Sequence, residues 1–271
     1  MHEPLFQITT ASAGYGKSLI FHDLNLTIPK GCITALCGPN GSGKSTVLRS
    51  MRRLLPLSAG QAALNGRALG EWREKDLARA LAMLAQSPDA PAEMNVHDLV
   101  MLGRFAHRHS LAGSSKTDQT ACQQALAATG MTGLAMTPIG ALSGGQKQRA
   151  WIAMVLAQEA PAILLDEPTN HLDISHTLDV LELVCDLNRE GRRSFVVVLH
   201  DLNLVARFAD HVVLFNHGQI AAEGPVREVL TESIISETFG IDCRILWPEG
   251  LGYPVIVPLS VRHTRHLSAA E

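Results

Sequence analysis

The sequence lacks the features that would place it across a bilayer, on a nucleic acid or among disulfide-bonded proteins. No apolar run approaches the roughly 20 residues that cross a membrane; the longest, Ala150 to Ala157, is too short. Basic residues number 23 and acidic residues 26, a net charge of −3, so there is no electrostatic case for a nucleic-acid partner. The five cysteines (Cys32, Cys37, Cys122, Cys185, Cys243) are odd in number and form no C-x-x-C pair. That pattern predicts scattered buried thiols in a reducing compartment. The start, Met1-His2-Glu3-Pro4, has no basic-then-apolar layout of a signal peptide. The expectation is a cytosolic chain; if it works at a membrane, another protein spans it. Tyrosine is scarce, with only two, one of them Tyr15. There is no internal repeat. His107-Arg108-His109 and His263 to His266 have no carboxylate or cysteine at ligand spacing, so they read as surface histidines rather than a metal site.

What is present is a globular composition, 46% hydrophobic and 18% charged over 271 residues, enough for one large domain with a sizeable core. Within it, Gly38-Pro39-Asn40-Gly41-Ser42-Gly43-Lys44-Ser45-Thr46 fits G-x-x-x-x-G-K-[ST]. The strand-like run Cys32 to Cys37 leads in, and a helical run from Thr46 to Met51 leads out. The order matters physically. Glycines let backbone N–H groups turn inward around anionic oxygens, and the helix adds its positive N-terminal end. Lys44 can then reach the β- and γ-phosphates, and the Ser45 hydroxyl can bind Mg²⁺.

Apolar and polar residues alternate from Leu5 to Pro29, which predicts half-buried antiparallel strands around a turn at Ala13-Gly14-Tyr15-Gly16-Lys17. A second pair is expected from Gln61 to Arg67, with Asn65-Gly66 as its turn. These flank the phosphate loop and predict a small β-lobe beside it. Leu77 to Ala85 reads as helix end passing into strand, stopping at Gln86-Ser87-Pro88. The texture from Val96 to Gln158 is helical. Asn95 caps the first helix, Gln119 to Thr129 forms another, and Ala112-Gly113-Ser114-Ser115 is a loop between them. Ala162 to Leu165 and Ser194 to Leu199 are continuous apolar runs, as parallel strands covered on both faces should be. A helix, Ile174 to Asn188, lies between them. His211 to Phe215 and Gln219 to Ala222 read as strands. Two short helices follow Pro225, and the last thirty residues read as irregular, with a strand at Val255-Ile256-Val257.

Asp166-Glu167 follows four apolar residues. A carboxylate at the carboxyl end of a buried parallel strand is where a phosphate-loop protein holds Mg²⁺. Glu167, one residue on, is placed to orient water as a general base. Leu142-Ser143-Gly144-Gly145-Gln146 opens a helix about twenty residues upstream, and its glycines leave N–H groups bare for an anion.

In this order the motifs resemble the ATP-binding cassette (ABC) ATPases, over about residues 5–240. The resemblance implies an α/β fold: a P-loop NTPase core with a mainly parallel sheet, an N-terminal antiparallel β-lobe and an inserted helical lobe at about residues 88–160. Residues 241–271 are then a short tail with no regulatory domain. It also implies roles. Tyr15 would stack on adenine, and Gly38 to Thr46 would hold ATP. Gln86 would touch Mg²⁺ and sense the γ-phosphate, with Ser45 and Asp166 as the other metal-holding residues. Ser143, Gly144, Gly145 and Gln146 match the signature motif, and Asp173 the D-loop. Glu167 would be the catalytic base and His200 the switch histidine at the γ-phosphate. Two copies would pair head to tail, each ATP lying between one phosphate loop and the partner's signature.

Leu99 to His107, Gln148 to Met154, Leu165 to Ile174 and Gly252 to Pro258 resemble the importer ATPases for iron–siderophores, haem and vitamin B12, most of all the ferric-siderophore members. The implied partners are integral-membrane permease subunits and, indirectly, a substrate-binding protein, with no nucleic acid. The implied place is peripheral, on the cytoplasmic face of the inner membrane. A haem or vitamin B12 importer is the nearby alternative. Pro168 to Asp173 also looks like soluble cassette proteins acting on ribosomes, but those carry two cassettes and a charged linker.

Overall fold

Apolar strands without alternation need cover on both faces, and the central sheet has it. The computed structural model describes residues 4–86, 88–108, 113–191 and 193–262. Its six-stranded sheet runs Gln219–Pro225, His211–Asn216, Ile33–Cys37, Ser194–Val198, Ala162–Leu165, Leu81–Leu84. All are parallel except the Gln219–Pro225 edge, which returns antiparallel after the His217-Gly218 turn. Successive side chains of a strand point to opposite faces. Ala35 and Cys37 therefore join one apolar cluster and Leu36 the other.

The first face packs against helices. Val96–Leu102, Lys116–Ala128 and Gly144–Ala157 lean on one another, and the residues they bury belong to the same cluster as Phe195 and Val197. Phe195 is 1% exposed, and its replacement by Ala would cost about 3–5 kcal/mol. The opposite face packs against the phosphate-loop helix Lys44–Met51, through Val47, Leu48 and Met51, and against a four-stranded antiparallel sheet. That sheet runs Ser18–Pro29, Pro4–Tyr15, Ala59–Leu64, Arg67–Ala68, the expected β-lobe. Asn65 and Gly66 have φ of 49° and 74°, as a tight hairpin needs. The turn of the first hairpin is shorter than expected, only Gly16-Lys17.

Three expectations are corrected. The helix placed at Gln119 begins at Lys116, because Ser115 is not loop but N-cap. Its hydroxyl accepts from the Asp118 N–H at 3.1 Å, while Asp118 accepts from the Ser115 N–H at 3.0 Å. The C-terminal stretch is not irregular: Ile241–Leu246 and Val255–Val261 pair as a hairpin, seated by buried Cys243 and Ile256. Cys32 and Cys185 are only partly buried, although all five thiols are free, and burial pushes the Cys37 thiol up to about 12. Ser87, Ala112, His109, His263 and His266 lie outside the described residues. Among the described residues no group of His, Cys, Asp and Glu could hold a metal by itself, and no helix is long and apolar enough to cross a membrane.

This topology positions the site. The loops that follow Cys37, Leu84, Leu165 and Val198 leave the carboxyl edge of the sheet together, and open α/β sheets bind ligands there.

Candidate active site

Those four strand ends carry Gly38–Thr46, Gln86, Asp166-Glu167 and His200. They surround a cleft of about 640 Å³ whose walls include Gly43, Lys44, Ser45, Thr46, Gln86, Glu167 and His200. The loop can close this tightly because of its glycines. A Cβ on Gly38, whose φ is 144°, would lie 2.0 Å from the Phe215 carbonyl oxygen. Gly43 precedes the helix Lys44–Met51 without a side-chain cap, so the first N–H groups of that helix are left for an anion. Lys44 is 5% exposed. Its Nζ donates to Gly38 O at 3.0 Å, Pro39 O at 2.9 Å and Ser42 Oγ at 3.3 Å. Burial lowers its pKa, against the nearby Cys37, Glu167 and Asp166, which favour its charge. It is a buried cation ringed by neutral acceptors, ready to exchange them for phosphate oxygens.

Ser45 Oγ donates to Asp166 Oδ1 at 2.8 Å. Asp166 is 1% exposed, and its Oδ2 has no hydrogen-bond partner. Burial raises its pKa, against the hydroxyl that stabilises its charge. An orphan carboxylate oxygen beside a hydroxyl suits a hard, oxygen-seeking cation such as Mg²⁺. The donor set therefore fits that ion.

Glu167 sits at φ 52°, a strained conformation for a residue with a side chain. Three neighbours hold its carboxylate. Gln86 Nε2 donates to Oε2 at 2.6 Å and Asn170 Nδ2 to the same oxygen at 3.2 Å. His200 Nε2 lies 2.7 Å from Oε1. The carboxylate thus lines the cleft with both oxygens engaged by these three neighbours.

The glycine string at the helix start lies elsewhere. Gly144–Ala157 packs on the sheet face opposite the phosphate-loop helix, and none of Ser143, Gly144, Gly145 or Gln146 lines the cleft. Ser143 Oγ accepts from the Gln146 N–H at 3.3 Å and Gln146 Oε1 from the Ser143 N–H at 3.0 Å, a reciprocal cap. The Gly144 and Gly145 N–H groups remain outside that cap. Asp173 does not line the cleft either. Its Oδ1 accepts from Ser175 Oγ at 3.0 Å and the His176 N–H at 2.9 Å, with His176 Nδ1 at 2.8 Å. Those bonds lower its pKa, the His176 N–H foremost. Tyr15 is 47% exposed at its strand end, outside the cleft walls, and its hydroxyl accepts from Arg49 Nη1 at 3.1 Å.

Three neighbours escaped the sequence reading. Asn170 falls in the stretch Pro168 to Asp173 with no role of its own in the sequence, yet it reaches Glu167 from three residues on. Ile20 covers Gly43 from the β-lobe, and only the fold brings it there. His176 packs so closely on Gly145 that a Cβ there would lie 2.1 Å from its ring. Its position three residues after Asp173, at a helix start, is a signal that could have found it.

A family model, ABC transporter, matches residues 21–170. The chain belongs to the ABC transporter family. It is an ATP-binding ATPase subunit of that family. The iron(3+)-hydroxamate import ATP-binding protein FhuC of Bacillus subtilis is 45% identical over 242 residues, covering 89% of this chain and 90% of that one. The ferric enterobactin transport ATP-binding protein FepC of Escherichia coli is 44% identical over 246 residues, 91% of both chains. Among solved structures, an inward-facing ABC transporter assigned to the metal-chelate type superposes with a TM-score of 0.82 at 28% identity, covering 94% of this chain and 98% of that one. The dimeric bacterial cassette MJ0796 gives a TM-score of 0.71 at 27% identity, covering 82% and 99%.

Proposed function

We propose that two copies of this chain, each a single cassette, hydrolyse ATP to drive a membrane permease that imports a ferric siderophore. The observation that carries the ATPase chemistry is the Glu167 carboxylate, held by Gln86, Asn170 and His200 beside the phosphate loop. Lys44 and the loop N–H groups bind the β- and γ-phosphates. Tyr15 stacks on adenine once nucleotide is present. Ser45, Asp166 and Gln86 would hold Mg²⁺, which would supply neutralisation of the phosphate charge. Glu167 accepts the proton of the attacking water as that oxygen bonds to the γ-phosphorus and the bond to ADP breaks. His200 steadies the γ-phosphate.

In this reading the cleft supplies one wall of the site; Ser143 to Gln146 are not among its lining residues. A second copy, turned by a two-fold axis, brings its signature glycines over Lys44, with Asp173 of each chain at the join. Opening after hydrolysis is the useful output, passed to the permease through the groove near Gln86. The chain then sits peripherally on the cytoplasmic face of the membrane, and a binding protein delivers substrate to the permease. The siderophore assignment rests on the hydroxamate and enterobactin import proteins, alike in cargo class and similar to this chain over nine-tenths of its length.

Growth of a deletion strain on single iron sources tests this. Growth on a ferric siderophore is expected to fail, and to return with the native gene but not with Glu167→Gln. Unimpaired growth on every siderophore and on haem would remove the proposal; failure on haem alone would move the cargo to haem.

A further inference from the structure

The segment Gly103–His107 has no part in the chemistry above, yet it lies across the far end of the signature helix Gly144–Ala157. The approach is close: a Cβ on Gly103 would lie 2.1 Å from the Met154 carbonyl oxygen. Arg104 follows and is 2% exposed. Its Nε donates to Asp118 Oδ1 at 2.9 Å, while Nη1 donates to Ala157 O and to Glu159 Oε2, each at 2.6 Å. His107 Nε2 lies 2.9 Å from the Gln158 carbonyl oxygen. One short segment thus grips the last carbonyls of the helix and, through Asp118, the start of the neighbouring helix Lys116–Ala128. A buried guanidinium is a costly way to hold two helices together. The apolar face of the signature helix already seats it on the sheet through Ala150, Ile152, Ala153, Val155 and Leu156. Apolar contact is non-directional and leaves small slides and tilts cheap. A forked donor set fixes angle and axial position.

We infer that Arg104 is a positioning residue that sets where Ser143, Gly144 and Gly145 stand when a second copy closes over its ATP. The inference rests on the two-copy site proposed above. The helix has 14 residues and so is about 21 Å long. A tilt of about 3° at the Arg104 end moves the signature end by about 1 Å, and misplacements of that size cost up to about 10²-fold in rate. The clamp therefore acts on the rate of the closed state, not on capture of nucleotide by the phosphate loop of its own chain.

The test uses the complete transporter, purified with its permease. Arg104→Lys keeps the charge but loses the fork. Arg104→Met combined with Asp118→Asn removes the buried pair together, so that no buried charge is stranded if the single change fails to fold. In both, kcat for ATP is expected to fall about tenfold to hundredfold. The ATP concentration at half-saturation should stay within about threefold of native, a kcat effect without a KM effect. Nucleotide binding and the thermal unfolding midpoint of the isolated chain should follow native in at least one of the two. Turnover within about twofold of native in a folded variant would overturn the inference, and so would losses of turnover and ATP binding in equal measure. A native complex with no ATP turnover would overturn the functional reading beneath it instead.

Discussion

The phosphate loop and the signature helix start are both glycine-rich helix N-termini, yet they are built in opposite ways. The loop is buried at its two ends, with Asn40 and Gly41 exposed between them. Gly38 is so tightly enclosed that a Cβ there would lie 2.0 Å from a neighbouring carbonyl oxygen, Lys44 is 5% exposed, and Asp166 beneath it is 1% exposed. Its polar groups wait with unmet capacity: an uncapped helix and an orphan carboxylate oxygen. At the signature helix, Ser143 and Gly144 are exposed, and Ser143 and Gln146 satisfy each other. It is located from behind, by His176 under Gly145 and by Arg104 at the far end. A site that holds its ligand within one chain needs a preformed, dry wall. A surface that must meet a ligand carried by another chain needs accessibility and accurate placement instead.

The contrast can be broken by substitution. Lys44→Ala removes the buried cation, so ATP turnover by the assembled complex should fall about 10²- to 10³-fold and ATP binding by the isolated chain should fall with it. Native binding and turnover would show that the loop is not the nucleotide site. Gly145→Ala should behave differently. The new methyl group collides with the His176 ring and shifts the helix start, so turnover should drop about tenfold to hundredfold. Binding by the isolated chain should stay native, because the P-loop cleft does not include Gly145. Lost binding in that variant would mean that the two regions meet within one chain.

Legibility from the sequence divides along the same line. The loop, its strand and its helix are contiguous, so spacing alone located Lys44 and Ser45. Asp166 and Glu167 are legible because an uninterrupted apolar run marks a buried parallel strand, and residues just beyond the end of such a strand lie at the sheet edge; His200 is singled out only by the resemblance to the ABC ATPases. The site role of Gln86 likewise comes only from that resemblance. Neighbours far apart in the chain were not legible. Nothing near Arg104 indicates that its guanidinium is buried, since its partners lie 14, 53 and 55 residues away. Ser115 reads as loop because two serines after a glycine look like one until the Asp118 side chain is seen to close the cap. The C-terminal hairpin is hard to read because each of its strands buries one residue, Cys243 and Ile256, too few to produce an alternating pattern.

The smallest expected effect concerns acid. The Ser115 N–H, with Arg104 and the Ser115 hydroxyl, holds the Asp118 carboxyl down to about 2 from its ordinary 3.8. A carboxylate whose folded pKa is depressed contributes stability above its unfolded pKa, and that contribution fades as the pH falls from 3.8 toward about 2. Asp118→Asn should therefore flatten the acid limb of the unfolding curve in that window, read by circular dichroism. An unchanged acid limb would mean that the charge is not what steadies these helices.

The central claim is that one ATP joins two copies of this chain, the phosphate loop of one against Ser143 of the other. Disulfide trapping tests it most directly, with Asn40→Cys and Ser143→Cys in a Glu167→Gln chain that holds ATP without splitting it. With ATP and oxidant, a species at twice the 29.2 kDa chain mass should form, and it should be absent without ATP or with either cysteine alone. A disulfide formed only within one chain, or no ATP-dependent species at all, would contradict the account.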